Sequence, residues 1–389
     1  SENFTSDKMP QLYKFAEKMI ILGRAYVCTC GKEEINKKRF GKIGCACRAR
    51  HGGENFRMWE EMIAGKVKKG ERILRLKADM QSENTVMRDP TLFRLMDSSH
   101  YRQGMKYVCW PTYDFEVSLS DSIDGITHAL RSKEYELRDE LYYAILSAVH
   151  MRKPLVYDFS RLNMKGTLLS KRLIKPLIEK KQVEGWDDPR LATLMGLRRR
   201  GILPDAIKEF VLRQGLSKAE TEPEFRDLLA INRKLLNASS PHHVFVPEPV
   251  KLSLKNMGGK GEFYIPRDDA AKFKPKEHVG LIRNLAIEIL EKKKTSVTAS
   301  AIKTEKMPEK KIQWLPASEG SSIKCEIMEI GDLLNGKGTV NKDGIQIRKG
   351  LCGKDCASLN AGDIVQFDRY GFCKLDAKEK EKLVFILSC

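Results

Sequence analysis

The sequence predicts a multidomain protein in which an α/β region is followed by a helical segment and then by a β-rich C-terminal region. Three observations predict it. Between residues 25 and 159 short strand-like runs alternate with helix-period segments; after Gly185 helix signals take over; beyond Pro241 many short β-like runs follow one another, broken by Gly, Asn and Asp. The length agrees, because 389 residues at roughly 150 per domain make two or three domains, each able to bury its own core.

Taken in order, Leu12, Phe15, Ala16, Met19 and Ile20 recur at helical spacing from Gln11 to Leu22, and Gly23 is a stop. Ala25-Tyr26-Val27 is a short strand, Asn55 to Ala64 a helix, and Ile73 to Lys77 an alternating strand. Lys106 to Trp110 is the next strand. Asp124 to Leu130 has the apolar content of a buried strand entering a helix from about Ser132 to His150, and Leu155 to Phe159 is a further strand. This alternation predicts an α/β layer with parallel pairing. Asp188-Pro189 has the form of an N-cap followed by proline at the first helical position, and Leu203-Pro204-Asp205 opens a helix running towards Leu212. The β-like runs are His243 to Val246, Val250 to Leu254, Phe263 to Ile265, Ile312 to Leu315, Ile323 to Glu329, Ile345 to Arg348 and Ile364 to Phe367, as expected of a barrel or sandwich. Lys292 to Lys311 is polar and Lys-rich, the composition of a solvated loop or linker.

Lys and Arg number 70 against 52 Asp and Glu, a formal net charge of +18. Such an excess favours a polyanionic partner, nucleic acid first, because neutralised phosphates release counterions. With 41% hydrophobic residues the chain is not disordered throughout. No stretch approaches the roughly 18 consecutive apolar residues of a membrane helix, and the opening Ser-Glu-Asn-Phe is no basic-then-apolar leader. The expectation is therefore a cytoplasmic protein without a membrane partner.

Four of the ten cysteines, Cys28, Cys30, Cys45 and Cys47, form two Cys-x-Cys pairs around a loop rich in Lys, Arg and Gly. Four thiolates in two close pairs suit a structural, tetrahedral Zn²⁺, and closing the loop on a metal can order a segment with almost no apolar core. His51 lies near enough in sequence to replace Cys47 as the fourth ligand, and unliganded thiols are the alternative. Cys352 and Cys356 have the spacing of half a second site without a visible other half.

Three segments carry the chemistry: Tyr113-Asp114-Phe115 with Asp124 to Glu134; Ser160-Arg161-Leu162-Asn163 leading to Leu168-Leu169-Ser170-Lys171-Arg172; and Gly185-Trp186-Asp187-Asp188-Pro189-Arg190-Leu191 followed by Arg198-Arg199-Arg200. Their order and wording resemble class I aminoacyl-tRNA synthetases of the glutamate and glutamine branch, most closely glutamyl-tRNA synthetases of the archaeal and eukaryotic type. Arg88-Asp89-Pro90, Ile312-Gln313-Trp314 and Val365 to Phe372 continue the resemblance along essentially the whole chain. The Cys-x-Cys loop and Leu130-Arg131-Ser132-Lys133-Glu134 look glutamyl rather than glutaminyl.

The resemblance implies a fold: a partial Rossmann-type catalytic domain with a zinc-containing insertion, a helical domain contacting the tRNA stem, and a C-terminal β-barrel anticodon-binding region. The implied boundaries are residues 1–24 for the end of the first catalytic half, 25–105 for the acceptor-binding insertion, 106–184 for the second catalytic half, 185–240 for the helical domain and 241–389 for the β region. It also implies roles. Ser170 and Lys171 stand in the mobile signature loop that reaches the ATP phosphates, with Leu169 and Arg172 beside them; a fixed ammonium there stabilises charge spreading over phosphate oxygens. The family's usual Lys-Met-Ser-Lys-Ser has lost its first lysine here, to Leu168. Arg131 matches the arginine facing the substrate glutamate, where a guanidinium holds a carboxylate by two parallel hydrogen bonds, and Tyr113 and Tyr135 match the pocket lining. His128 is a positioned strand-end residue rather than a base, because this reaction relies on orientation and charge stabilisation. Trp186, Asp187 and Arg190 match the link to the helical domain, Arg198, Arg199 and Arg200 suit tRNA phosphates, and Gln366 and Arg369 belong to the anticodon region.

The activity implied is ATP- and Mg²⁺-dependent formation of glutamyl-adenylate from L-glutamate and transfer to tRNA(Glu), with tRNA(Gln) as a further candidate. The family's His-x-Gly-His motif is absent: none of the seven histidines has that pattern. The sequence therefore leads one to expect a chain that needs a separate N-terminal half, with a non-catalytic tRNA-binding paralogue and a glutaminyl-tRNA synthetase as the alternatives.

Overall fold

The computed structural model describes residues 2–257 and 261–389, and the chain divides into two compact units, Ser1–Arg161 with Leu216–Glu220, and Leu162–Gly215 with Thr221–Cys389.

In the first unit the elements run α1 (Met9–Ile21), β1 (Ala25–Cys28), α2 (Lys32–Phe40), α3 (Gly52–Ile63), β2 (Ile73–Leu76), β3 (Thr91–Leu95), β4 (Cys109–Pro111), α4 (Tyr113–Ile123), β5 (His128–Ser132), α5 (Asp139–Ala148) and β6 (Leu155–Phe159). The helix-period residues of α1 form its buried stripe, Leu12, Ala16, Met19 and Ile20, and Gly23 turns the chain at a φ of +68°. They share one core with Trp59 of α3, Phe93 of β3, Phe115 and Leu119 of α4 and Ile145 of α5. The ring of Trp59 meets Phe93 edge-on at 5.0 Å, and Phe93 meets Phe115 at 4.9 Å, separations at which aromatic pairs add to simple burial.

Three expectations need correction. The sheet β1-β2-β3-β4 is antiparallel throughout, and among the described residues of this unit only β5 and β6 pair in parallel, His128 opposite Leu155 and Ser132 opposite Phe159. The connections explain it: β2 to β3 and β3 to β4 have no crossover helix to return the chain in the same direction. Next, Asp124 lies not in a strand but at the C-terminal cap of α4, Gly125 turns the chain at a φ of +73°, and β5 begins only at His128 with Leu130 58% exposed. Finally, the helix expected from Ser132 starts as a 3₁₀ turn, Lys133–Arg138, and becomes α5 at Asp139.

In the second unit α6 (Lys171–Glu179), α7 (Leu194–Arg200), α8 (Pro204–Gln214) and α9 (Phe225–Leu236) come first. Leu197, Ala206, Phe210, Leu228 and Ile231 form the core of α7 to α9. Pro204 opens α8 as its sequence predicts, but Asp188 caps no helix. Its fully buried carboxylate instead takes Arg190 Nε at 2.9 Å, Arg190 Nη2 at 2.7 Å and the Glu184 amide at 2.9 Å. Thr193 caps α7, accepting from Gly196 N at 2.9 Å. A buried carboxylate gains more from a guanidinium fork than from a single cap bond.

The β region has strands β7 (His242–His243), β8 (Phe245–Pro247), β9 (Pro249–Leu254), β10 (Glu262–Pro266), the short helix α10 (Arg267–Ala271), β11 (His278–Leu281), β12 (Ala286–Lys292), β13 (Ser296–Ile302), β14 (Lys311–Ile312), β15 (Leu315–Pro316), β16 (Ser322–Ile330), β17 (Ile345–Gly353), β18 (Ile364–Phe367), β19 (Gly371–Lys378) and β20 (Lys382–Leu387). They build two seven-stranded, barrel-like sheets, ordered β14-β11-β12-β13-β9-β10-β15 and β7-β18-β19-β20-β16-β17-β8. Each has its own apolar core, Leu252, Ile265, Ile287 and Val297 in one, Phe245, Ile327, Phe367 and Phe385 in the other. The segment Lys292 to Lys311 is thus no linker. Its residues Ser296–Ile302 are the middle strand of the first sheet, with Val297 and Ala299 buried and Ser296 and Thr298 turned outward.

Candidate functional site

The most completely assembled constellation is the set of four cysteines. β1 ends on Cys28 with Cys30 just beyond it, and the 3₁₀ turn Ala46–Ala49 presents Cys45 at its cap and Cys47 within it. Cys28 Sγ lies 3.8 Å from Cys45 Sγ and Cys30 Sγ 4.0 Å from Cys47 Sγ, with all four sulfurs within 4.8 Å of one another. Four sulfurs at about 2.3 Å from a zinc ion stand about 3.8 Å apart, so the donor set fits that ion with little rearrangement. His51 is outside this group: its Nδ1 accepts from Gly53 N and caps α3. Arg75, 2% exposed, points Nη1 at Cys28 and Cys45 from 3.9 and 3.8 Å. A buried guanidinium needs negative partners, and thiolates of a metal site supply them. The enclosed helix α2 buries no residue at all. Its Glu33 and Glu34 at the start and Lys37, Lys38 and Arg39 at the end complement the helix dipole, and Arg39 ties its end to the Thr85 carbonyl at 2.7 Å.

Tyr113, Arg131 and Tyr135 come together on the first unit. Tyr113 opens α4, half exposed, with its ring 5.6 Å from that of Tyr135. Arg131, in β5, is 8% exposed, with its guanidinium 4.2 Å above the ring of Tyr142. It is loosely paired, 3.5 Å from Asp121 and 3.9 Å from Asp139. Burial raises the Tyr113 hydroxyl, and the charge of Arg131 acts in the opposite sense. Sequence reasoning missed the surroundings. Arg39, Arg94 and Arg138 line a hollow that reaches Tyr113, and Arg138 pairs with Asp114. These cations come from α2, β3 and a 3₁₀ turn, so no local motif could have joined them.

Behind Arg131 two carboxyls meet. Burial, then the hydrogen bond with and charge of Asp158, pushes Asp139 up to about 6, and Oδ1 of each of Asp139 and Asp158 is buried without another donor among the described residues. A proton retained by Asp139 gives the pair a donor. The native state therefore holds a proton that the unfolded state loses near pH 4, so stability falls as pH rises from about 4 to 6 and is level above. Asp139→Asn should flatten that slope and stabilise the protein at neutral pH by on the order of 1–3 kcal/mol, which urea unfolding at pH 4 to 8 measures. An unchanged slope would remove the retained proton from the account.

In the second unit Leu169, Ser170, Lys171 and Arg172 are exposed, Ser170 at the cap of α6 and Lys171 as its first residue. Lys171 has no ion-pair partner among the described residues. Ile174, Val183, Leu191 and Leu333 bury the opposite side of α6 with Leu168, Leu177 and Ile178, anchoring the loop while leaving its cations free. The unsatisfied amides of a helix start add to the anion-attracting field.

The arginines expected to face phosphate separate. Arg198 is exposed and its side chain is unpaired among the described residues. Arg199 is bound by Asp376 at 2.9 Å and Glu184 at 2.7 Å, with Asp187 at 3.8 Å. Arg200 is 8% exposed, over the ring of Phe225, and donates to the Ile330 carbonyl, so it offers phosphate no surface. Arg190 is likewise committed to Asp188, while Trp186 is 40% exposed and Asp187 is exposed beside it. Gln366 lies in β18 with a buried Oε1 that has no donor among the described residues. Arg369 adopts a φ of +60° and forks onto Asp269 at 2.9 and 3.2 Å. Arg369 shares a hollow with Gln313, Tyr370, Arg267 and Arg348; the last two come from α10 and β17 and carry no sequence signal of their own.

Two family models match this chain. One, described as tRNA synthetases class I (E and Q), catalytic domain, matches residues 2–238; the other, described as tRNA synthetases class I (E and Q), anti-codon binding domain, matches residues 311–376. Among similar proteins, the glutamate–tRNA ligase of Nitrosopumilus maritimus is 40% identical over 97% of this chain and 69% of its own length. That of Cenarchaeum symbiosum is 36% identical over 96% of this chain and 69% of its own. The cytoplasmic glutamate–tRNA ligase of Arabidopsis thaliana is 33% identical over 96% of this chain and 58% of its own.

Proposed function

Because the chain belongs to the class I tRNA synthetases of the glutamate and glutamine (E and Q) family, we propose that it is a glutamate–tRNA ligase chain, activating L-glutamate with ATP and passing the glutamyl group to tRNA(Glu). The single observation that carries this is the match of 97 and 96% of the chain, at 40 and 36% identity, to proteins named for glutamate. The glutaminyl and non-catalytic alternatives have no comparable support.

In the reaction a carboxylate oxygen of glutamate bonds to the α-phosphorus of ATP and pyrophosphate leaves; a hydroxyl of the terminal ribose then takes the acyl group and AMP leaves. Lys171 at the start of α6 neutralises charge that grows on the phosphates, with Ser170, Leu169 and Arg172 shaping the loop around them. Arg131 holds the side-chain carboxylate of glutamate, for which its two loose ion pairs leave donors available, and Tyr113 and Tyr135 line the pocket. Mg²⁺ accompanies ATP and screens its phosphates. The His-x-Gly-His contribution to ATP binding is not among these residues, and this reading assigns it to an N-terminal half outside them. Zinc on Cys28, Cys30, Cys45 and Cys47 orders the basic loop that meets the acceptor end of tRNA. Trp186, Asp187, Arg190 and Arg200 support the fold of the helical domain. Arg198 and, with its carboxylates displaced, Arg199 meet tRNA phosphates, and Gln366 and Arg369 belong to the anticodon surface.

No helix is long and apolar enough to cross a membrane among the described residues. The test is charging of tRNA(Glu) with radiolabelled glutamate by the chain together with a half carrying the His-x-Gly-His motif. Arg131→Lys should lower it chiefly through a raised KM for glutamate, since an ammonium cannot replace the fork. An unchanged KM would remove Arg131 from the pocket.

A further inference from the structure

The second sheet holds another group of metal-type donors, well apart in sequence from the first four cysteines. His243 at the end of β7, and Asp355 and Cys356 in the 3₁₀ turn Lys354–Ser358 that follows β17, place one donor atom each within 4.8 Å of the others. Cys356 is half of the Cys352/Cys356 spacing noted in the sequence; the missing partners are Asp355 at the neighbouring position and His243, which lies 112 residues before Asp355.

The three differ in exposure in an orderly way. Cys356 is fully buried at the edge of the second core, the His243 side chain is 11% exposed, and the Asp355 side chain is 61% exposed. His243 Nδ1 pairs with the Asp355 carboxylate at 2.5 Å, and the Cys356 sulfur stands within 4.8 Å of a ligand atom of each. An ordinary surface His–Asp pair has no use for a buried sulfur beside it. Thiolate, imidazole and carboxylate together suit a borderline-soft divalent ion, and three protein donors leave a tetrahedral ion one open position.

We propose that His243, Asp355 and Cys356 form a second metal site, binding a Zn²⁺-class divalent ion that ties β7 to the turn after β17, with its fourth position open to solvent. Drawing the donors from the observed spacing to tetrahedral contact requires a small movement, and the exposed Asp355 is the side chain free to make it. Cys352 is buried in the same apolar core as Cys356 and lies outside the donor set.

The test titrates the reduced chain, its four-cysteine site filled by a single equivalent of zinc, with Co²⁺ and reads metal equivalents and absorption. One further equivalent should bind, with the weak sulfur-to-cobalt band of a single thiolate. Cys356→Ser should abolish that band. Asp355→Asn, at an exposed position, should leave the fold intact and weaken binding by at least about tenfold, a loss typical even of an outer partner. Cys45→Ser should leave the band unchanged, so this site and the four-cysteine site succeed or fail separately. Binding of no further equivalent, or a band and affinity unaltered by Asp355→Asn and Cys356→Ser, would overturn the proposal.

Discussion

Lys171→Ala should lower glutamyl-adenylate formation by about 10²- to 10³-fold, the range observed when a single fixed donor to a developing anion is removed. The substitution costs the fold nothing. Lys171 is exposed at the first turn of α6, whose packing depends on Ile174, Leu177 and Ile178. The variant should therefore unfold at the same urea concentration as the parent. ATP–pyrophosphate exchange measures the step, and a fall in kcat with little change in KM for glutamate is the expected pattern, because the lysine acts on charge that grows in the transition state. Exchange at the parental rate would remove Lys171 from the reaction.

The other large effect is expected at the four cysteines. Zinc bound by four thiolates contributes roughly 10–16 kcal/mol of apparent binding free energy in small fingers, and α2 has no buried residue with which to replace it. Cys45→Ser should abolish bound zinc and open the loop to trypsin at Lys37, Lys38, Arg39 and Lys42. The rest of the first unit, held by Leu12, Trp59, Phe93 and Phe115, should stay resistant. Metal analysis and limited proteolysis read the two outcomes together. A native protein without metal, or a variant loop as resistant as the parent, would contradict the zinc reading.

The two closely spaced cysteine pairs were legible because the ligand pattern is local; the spacing left Cys47 and His51 as rivals, and the fold brings Cys47, not His51, to the other three sulfurs. The alternation in the C-terminal region revealed most strands of the two sheets. It did not reveal β11, β12, β13, β19 or β20; the inward residues of β13 are only Val297 and Ala299, and its flanks, Lys292 to Lys294 and Lys303 to Lys311, have a linker's composition. Helix α4 was hidden by the opposite effect: Phe115, Val117 and Leu119 alternate like a strand, whereas Phe115 and Leu119 are the fully buried pair, four residues apart on one helix face. The run of three arginines shows where residue type stops informing. Arg198, Arg199 and Arg200 point to three environments about a helix turn, solvent, a carboxylate cluster and the core, and only tertiary packing decides which cation remains for an anionic partner.

The central claim is that this chain serves glutamate transfer to tRNA. Its most direct measurement is side-by-side charging of purified tRNA(Glu) and tRNA(Gln) with labelled glutamate and labelled glutamine, using the chain completed by a His-x-Gly-His-bearing half. The account predicts glutamyl-tRNA(Glu), dependent on ATP and lost with Lys171→Ala, and no product from glutamine. Charging with glutamine in preference to glutamate, or tight tRNA binding with no charging at all, would contradict it.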